Sequence, residues 1–299
     1  MTEPDTSRKL TDETDRIYGI TGASGQLGRL VIKQLMQRVP PRNIVAAVRN
    51  PEAAGDLAAA GIQVRQADYD LPETLAPAFA GVNRLLLISS NLTWGRMRHH
   101  HAVIEAAKSA GVSLIAYTSM LHADRSAAKL AQEHLQTEVA LHASGIPAVF
   151  LRNGWYTENY LAALQPAVQM GKMIGAAADG KISLAARVDY AAAAAVALTM
   201  SEAPATFELA GDTAWTLSDL AAEISRQVAK TVDYGDMTEI DFRTALIAAG
   251  LPEDLADLLA DADAKAANGA LFDDSGTLSR LIGRPTTPVA QTVREALKR

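Results

Sequence analysis

Gly22, Gly25 and Gly28 stand at every third position of the run Thr21-Gly22-Ala23-Ser24-Gly25-Gln26-Leu27-Gly28. The run lies between a short apolar segment, Ile17 to Thr21, and a stretch with Leu27, Leu30, Val31, Leu35 and Met36 at helical spacing. Such spacing suits phosphate binding for three reasons. Gly22 permits a tight turn after a strand, Gly25 lets backbone amides approach a pyrophosphate with no Cβ in the way, and Gly28 lets the helix pack close to the strand. The helix N-terminus adds partial positive charge. After a first strand, this pattern reads as a dinucleotide site with Gly22, Ala23, Ser24, Gly25, Gln26, Leu27 and Gly28 as contacts. Glycines that only mark a turn are the alternative.

The second expected strand ends Val48-Arg49-Asn50, where a fold that prefers NAD places an acid for the ribose hydroxyls. Arg49 can instead pair with a 2′-phosphate, which favours NADP, or it is a solvated arginine at a strand end. Asp68 follows the third strand, where an acceptor can meet the adenine amine or start a helix. Ser89 and Ser90 close the fourth strand at the carboxyl edge, where ligands bind in such sheets.

The elements that would hold these residues repeat in order. Strands are expected at Ile44 to Val48, Gln63 to Arg65, Arg84 to Ser89, Ser113 to Thr118 and Ala148 to Leu151, alternating with helices Gln26 to Gln37, Glu52 to Ala60, Pro72 to Phe79, Met97 to Ala110 and Ser126 to Ala143. Alternation of this kind predicts an α/β fold: a Rossmann-type, doubly wound parallel sheet, complete after the strand that ends at Leu151. The nucleotide domain should span 16–152, behind a polar tail at 1–15. Beyond Arg152 the alternation loosens, with aromatic and polar residues to Leu164 and a glycine-containing stretch from Gln169 to Asp179. An alanine-rich helix over Arg187 to Met200 lies within a segment, 183–205, expected to pack back on the first domain. Strands Phe207 to Ala210 and Thr231 to Tyr234, with helices near 217–229, 239–249 and 252–266, suggest a smaller α/β substrate domain over 153–299.

Composition narrows the chemistry. The chain has 299 residues, 48% hydrophobic and 21% charged, in the globular range. A net charge of −6 without long Lys/Arg runs argues against nucleic acid or anionic lipid as a partner. The absence of cysteine removes disulfides, Cys-ligated metals and thiol nucleophiles. No stretch resembles a membrane span or a signal peptide, so the expectation is a cytoplasmic protein without membrane insertion.

With the glycine run, Val48-Arg49-Asn50-Pro51, Ala116-Tyr117-Thr118-Ser119 and Leu151-Arg152-Asn153-Gly154-Trp155-Tyr156-Thr157-Glu158-Asn159-Tyr160 together, the chain resembles the NmrA-like atypical short-chain dehydrogenases. Within them it is most similar to the type-2 NADPH quinone oxidoreductases, with triphenylmethane reductases near. The likeness continues through Ala186 to Tyr190, Glu208 to Asp212, Leu271 to Ser275 and Leu281 to Gly283. It implies transfer of hydride from NADPH to a quinone-like acceptor, giving hydroquinone, with no flavin and no metal. The cleft would be lined by the Arg152 to Tyr160 block, Asn153 included.

The same resemblance makes Asn159 the residue near the nicotinamide and acceptor, where a carboxamide can donate to an oxygen gaining charge, or else a residue that holds its own loop. Tyr156 and Tyr160 would stack on a flat acceptor or donate a proton, or be core. Arg187 would make a polar contact at the cleft or an ion pair at a helix start, with Asp189 or another acid. Ordinary short-chain dehydrogenases carry a Tyr-x-x-x-Lys pair; the corresponding helix here reads Leu130-Ala131-Gln132-Glu133-His134, with Lys129 out of register. A quinone, whose reduced form is a stabilised anion, tolerates that loss better than a ketone. His134 would take the missing lysine's ribose contact or face solvent. A homodimer is compatible with the sequence, and an NADP-binding redox sensor with little or no turnover is the rival function.

Other signals are set aside. Consecutive residues His99, His100 and His101 point about 100° apart on a helix and cannot converge on one ion. Asp261-Ala262-Asp263 begins like a calcium loop, but Lys265 and Ala266 break the pattern, leaving a solvated helix end. Ser119 and His122 lack the turn and carboxylate of a hydrolase triad.

Overall fold

The computed structural model describes residues 15–90, 92, 95–201 and 205–298, so the polar tail expected at 1–15 lies, apart from Asp15, outside the described residues. Seven parallel strands form the main sheet: β1 (Tyr18–Ile20), β2 (Ile44–Val48), β3 (Gln63–Gln66), β4 (Arg84–Leu87), β5 (Leu114–Met120), β6 (Ala148–Asn153) and β8 (Ala205–Leu209). Their order is β3-β2-β1-β4-β5-β6-β8. The direction of winding reverses between β1 and β4, and ligands bind beyond the carboxyl ends of strands at such a switch point. Largely apolar runs explain the central positions: all five residues of β2 and all four of β4, Arg84 included, are buried, as strands covered on both faces require.

Helices cover both faces. On one, α1 (Gln26–Leu35) buries Leu27, Val31, Ile32 and Leu35, and α8 (Arg187–Thr199) packs directly on it. The alanines of α8 make this close approach possible; Ala191, Ala193, Ala194, Ala195 and Ala197 all lie in the core. This helix is the part of the later chain expected to pack back. On the other face lie α3 (Leu75–Phe79), α4 (Arg96–Ser109) and α5 (Lys129–Ser144). Two expected helices are shorter than their patterns: Glu52–Ala54 and Pro72–Thr74 are 3-10 turns leading into α2 (Gly55–Ala59) and α3.

One expectation is corrected. The sheet is not complete at β6, and the strand assigned to the small domain is its seventh member: β8 pairs in parallel with β6, Leu151 beside Phe207. The strand is amphipathic and short, so local pattern could not tell an edge strand of the large sheet from a strand of a separate one. The remaining later elements gather around a second core: α6 (Thr157–Leu161), α7 (Leu164–Met170), α9 (Leu217–Val228), α10 (Glu239–Ala248), α11 (Glu253–Ala266) and α13 (Val289–Ala296). They surround a two-stranded parallel sheet, β7 (Lys172–Gly175) with β9 (Asp233–Asp236). Strand β7 falls inside the stretch read as irregular. Helix α12 (Thr277–Ile282) returns to the first core through Leu278. Buried Asp189 on α8 anchors the C-terminal chain, accepting from the Thr287 amide at 2.7 Å and pairing with Arg284 at 2.7 Å. Asp189 is therefore not the partner of Arg187.

Candidate active site

The glycine run makes the turn from β1 into α1. Gly22 has φ +57°, a left-handed conformation, and a Cβ on Gly28 would lie 2.4 Å from the Gly22 carbonyl oxygen and 2.7 Å from Ala23 Cα. The helix thus rests directly on the loop. Gly25 is the N-cap of α1 and supplies no side-chain cap, so the first-turn amides are left for a ligand or water. Gly22, Ser24, Gly25, Gln26, Leu27 and Gly28 line one wall of a cleft of about 490 Å3, and Arg49, Asp68, Ser89 and Ser90 line others. Ala23 does not line it: the residue is fully buried and its amide bonds to the Ala47 carbonyl.

At the outer end, Arg49 is exposed and no hydrogen bond or ion pair to it is present among the described residues. The Asn50 side chain is used in a turn, accepting from the Glu52 amide. Asp68 does likewise for the Asp70 amide at 3.0 Å, so its carboxylate is already half engaged. Tyr69, Asp70 and His99 also line this cleft, and none was legible in advance. His99 meets Asp70 at 3.0 Å and Ser90 Oγ at 3.3 Å. His100 accepts from the Ser90 amide through Nε2, so its Nδ1–H donates to Thr137 Oγ1 at 2.9 Å. Burial holds the His100 ring down to about 3, neutral throughout the physiological range. These two histidines pin the loop after β4; His101 is exposed.

Through Ser89 and Ser90 the cleft continues into a smaller cavity of about 230 Å3, where Thr118 and Ser119 of β5, His134 of α5, and Asn153, Tyr156 and Asn159 come together with Arg96. Strand β6 ends at Asn153; Tyr156 caps the start of α6, and Asn159 lies in its first turn. The Asn153 amide donates to Tyr156 Oη at 3.1 Å, and the Tyr156 ring packs on Tyr190 with centroids 4.9 Å apart and planes tilted by 45°. Burial, partly offset by Asn153, raises the Tyr156 hydroxyl above its ordinary value, so it stays protonated at neutral pH. Arg187 opens α8 with its amide on the Glu158 carboxylate at 2.9 Å. Its guanidinium joins the two halves of the cleft, donating to Gln26 and, at 3.3 Å, to Asn159 Oδ1. With its oxygen held there, Asn159 keeps its Nδ2 hydrogens for another acceptor.

Two residues sit elsewhere than expected. His134 neither faces solvent nor has a free ring nitrogen: it is 5% exposed, with Nδ1 against Tyr117 Oη at 2.7 Å and Nε2 against Arg96 at 3.4 Å. Burial and the Arg96 charge hold its ring well below the usual imidazole range. Tyr160 does not line the cleft but an adjoining apolar cavity of about 380 Å3, which shares Trp155 and Asn159 with it. Its hydroxyl donates to Asp263 at 2.7 Å.

The Asp261-Ala262-Asp263 segment is likewise no solvated helix end; Asp261 and Asp263 are 3% and 2% exposed. Asp261 accepts from the Lys129 amide at the start of α5, and Asp263 from Ala176 as well as Tyr160. Both aspartates turn inward to cap backbone contributed by distant elements. Ser119 donates to Glu138 at 2.5 Å, and Glu138 binds Arg152 through both oxygens, so that serine is a strut. The missed residue of most interest is Arg96, hidden in the sequence because the helix was expected to start one residue later, in a run resembling a solvated basic patch.

Comparison with known proteins gives consistent results. A family model described as NAD(P)H-binding matches residues 22–199. Quinone oxidoreductase 2 of Escherichia coli (strain K12) is 56% identical over 280 residues, 93% of this chain and 97% of that protein. The crystal structure of an NADPH-dependent quinone oxidoreductase from Escherichia coli in complex with NADPH superposes with a TM-score of 0.91 at 54% identity, covering 94% of this chain and all of that one. A triphenylmethane reductase from Citrobacter sp., complexed with NADP(H), gives 0.89 at 37% identity over 93% of this chain and 99% of that one.

Proposed function

This chain belongs to the NAD(P)H-binding family, and we propose that within it the protein is an NADPH-dependent quinone reductase that passes hydride to a quinone and releases hydroquinone. The observation that carries the reading is the 56% identity to a quinone oxidoreductase along nearly the whole of both chains. The cradle fits the nucleotide on its own evidence: a left-handed Gly22, a Gly28 position that admits no Cβ, and an α1 N-terminus without a side-chain cap. NADPH, when bound, supplies the hydride.

The protein's own groups do the rest. Arg49, exposed and without a hydrogen-bond or ion-pair partner among the described residues, pairs with the 2′-phosphate, and the glycine-loop amides hold the pyrophosphate. Ser89 and Ser90 stand at the joint between the nucleotide cleft and the inner cavity, where the two reactants meet. Asn159, oriented by Arg187, donates to the acceptor oxygen as charge develops there, and protonated Tyr156 borders the same space. A chemical step without flavin or metal, a cytoplasmic location, and a division into a nucleotide half and a substrate half, with β8 on the nucleotide side, belong to the same proposal.

The test is NADPH oxidation by the purified, colourless protein on addition of benzoquinone or a naphthoquinone. Steady turnover without added flavin supports it. Tight NADPH binding with no turnover across several quinones would favour a nucleotide sensor, and activity that appears only with flavin would overturn the mechanism.

A further inference from the structure

Arg96 is the first residue of α4 and only 6% exposed. Stability argues against a cation there twice over. Burial strips the guanidinium of water, and the N-terminal end of a helix carries partial positive charge that repels it. Compensation within the fold is thin. Among the described residues, one carboxylate, Glu133, lies 3.4 Å away, and the other contacts are the Leu92 carbonyl at 3.1 Å and the His134 ring at 3.4 Å. The Nε atom is buried with no hydrogen-bond partner among the described residues. His134 adds no charge of its own, since its ring is held neutral. Arginine stays charged even where burial lowers its pKa, as it does here. The cavity it lines is the one that holds Asn153, Tyr156 and Asn159.

We propose that Arg96 is a catalytic and specificity-determining residue that contacts the acceptor and selects electron acceptors that become anionic on reduction over acceptors that start as cations. The inference rests on the quinone-reductase reading above and extends it to the charge of the substrate. A quinone that takes a hydride from NADPH gains two electrons and one proton, leaving NADP+ and a hydroquinone monoanion, which then takes a proton from water. Negative charge appears on its oxygen. A triarylmethane dye is a cation at the outset, and a hydride added to its central carbon makes it neutral. A fixed cation in the cavity stabilises the first change and repels the second substrate. A cavity of 230 Å3 is about 8 Å across, and a unit charge at that distance alters a rate by about ten- to thirtyfold at the effective dielectric of a protein site.

The experiment measures kcat/KM for benzoquinone and for a cationic triarylmethane dye in the wild type, Arg96→Met, Arg96→Lys and Glu133→Gln. It adds NADPH affinity by fluorescence titration and 4-nitrophenolate binding to the NADP+-loaded protein. In Arg96→Met the quinone value should fall about ten- to thirtyfold, the dye value should rise, and nitrophenolate should bind correspondingly more weakly, with NADPH affinity unchanged. Arg96→Lys should keep the wild-type order of acceptors. Glu133→Gln, which removes the opposing charge, should raise the quinone-to-dye ratio, and it decides the matter alone should Arg96→Met not fold. A fall of both acceptors together in Arg96→Met, or a ratio unchanged in either variant, would overturn the role of Arg96 while wild-type quinone turnover leaves the enzyme reading standing. Absence of wild-type turnover would overturn both.

Discussion

Replacing Gly28 with alanine should separate nucleotide binding from folding. The added Cβ would sit 2.4 Å from the Gly22 carbonyl oxygen, 2.7 Å from Ala23 Cα and 3.0 Å from the Ala23 carbonyl carbon, all backbone. Ordinary contact begins at 3.4 Å, so α1 and the loop must part by about 1 Å. Overpacking of this kind costs about 1–3 kcal/mol, but alanine within a helix recovers up to about 1 kcal/mol over glycine, so the net loss of stability is about 0–2 kcal/mol. Binding has no such compensation. Amides positioned for one pyrophosphate are moved about 1 Å out of place, and the loss of two charge-assisted hydrogen bonds at about 1.5–3 kcal/mol each predicts NADPH affinity lower by about 100-fold or more. The assay pairs a fluorescence titration of NADPH with urea unfolding of the nucleotide-free protein. Gly55→Ala, at a helical position where a Cβ meets nothing within 4 Å, is the control and should leave both unchanged or slightly improve stability. An NADPH affinity within threefold of wild type in Gly28→Ala would refute the reasoning, because it would mean that the loop does not hold the pyrophosphate.

Three further outcomes are expected. Arg49→Ala should weaken NADPH binding by about 10- to 100-fold and leave NADH binding nearly unchanged, with the wild-type preference shrinking as salt rises; equal weakening of both nucleotides would make Arg49 a loop support instead. Asn159→Ala should lower kcat at saturating quinone more than it raises the NADPH dissociation constant, since the carboxamide acts on developing charge; a pure affinity effect would contradict that role. Burial pushes the Asp263 carboxyl up to about 6 from an ordinary 3.8, against the opposing pull of its bonds from Tyr160 and Ala176. The folded state therefore binds this proton more tightly, and the associated stability, about 3 kcal/mol, is fully present below the ordinary value and lost as pH rises through about 6. Urea unfolding from pH 4 to 8 should show Asp263→Asn with less loss of stability on raising the pH than wild type; parallel curves would place the titration elsewhere.

What was legible in the chain was local. Glycines at 22, 25 and 28 act through the conformation of their own turn and its contact with the helix that follows it, so the tight turn from β1 into α1 could be read directly. The period of apolar residues likewise placed β1 to β6 and their helices, because a strand or helix buried on its proper face must repeat accordingly. Contacts across long loops carry no such signature. Strand β8 pairs with β6 across the whole of α6 to α8, and β7 finds β9 some 60 residues away; the apolar content of each permits several neighbours. The same holds for polar groups. Asp263 looks like a surface residue until Tyr160 and Ala176, 103 and 87 positions distant, are brought to it. Arg96 looks like part of a basic helix face until α5 places Glu133 and His134 beside it and leaves it buried. Whether an ionisable side chain is solvated or buried depends on which distant elements cover it, and packing alone decided that.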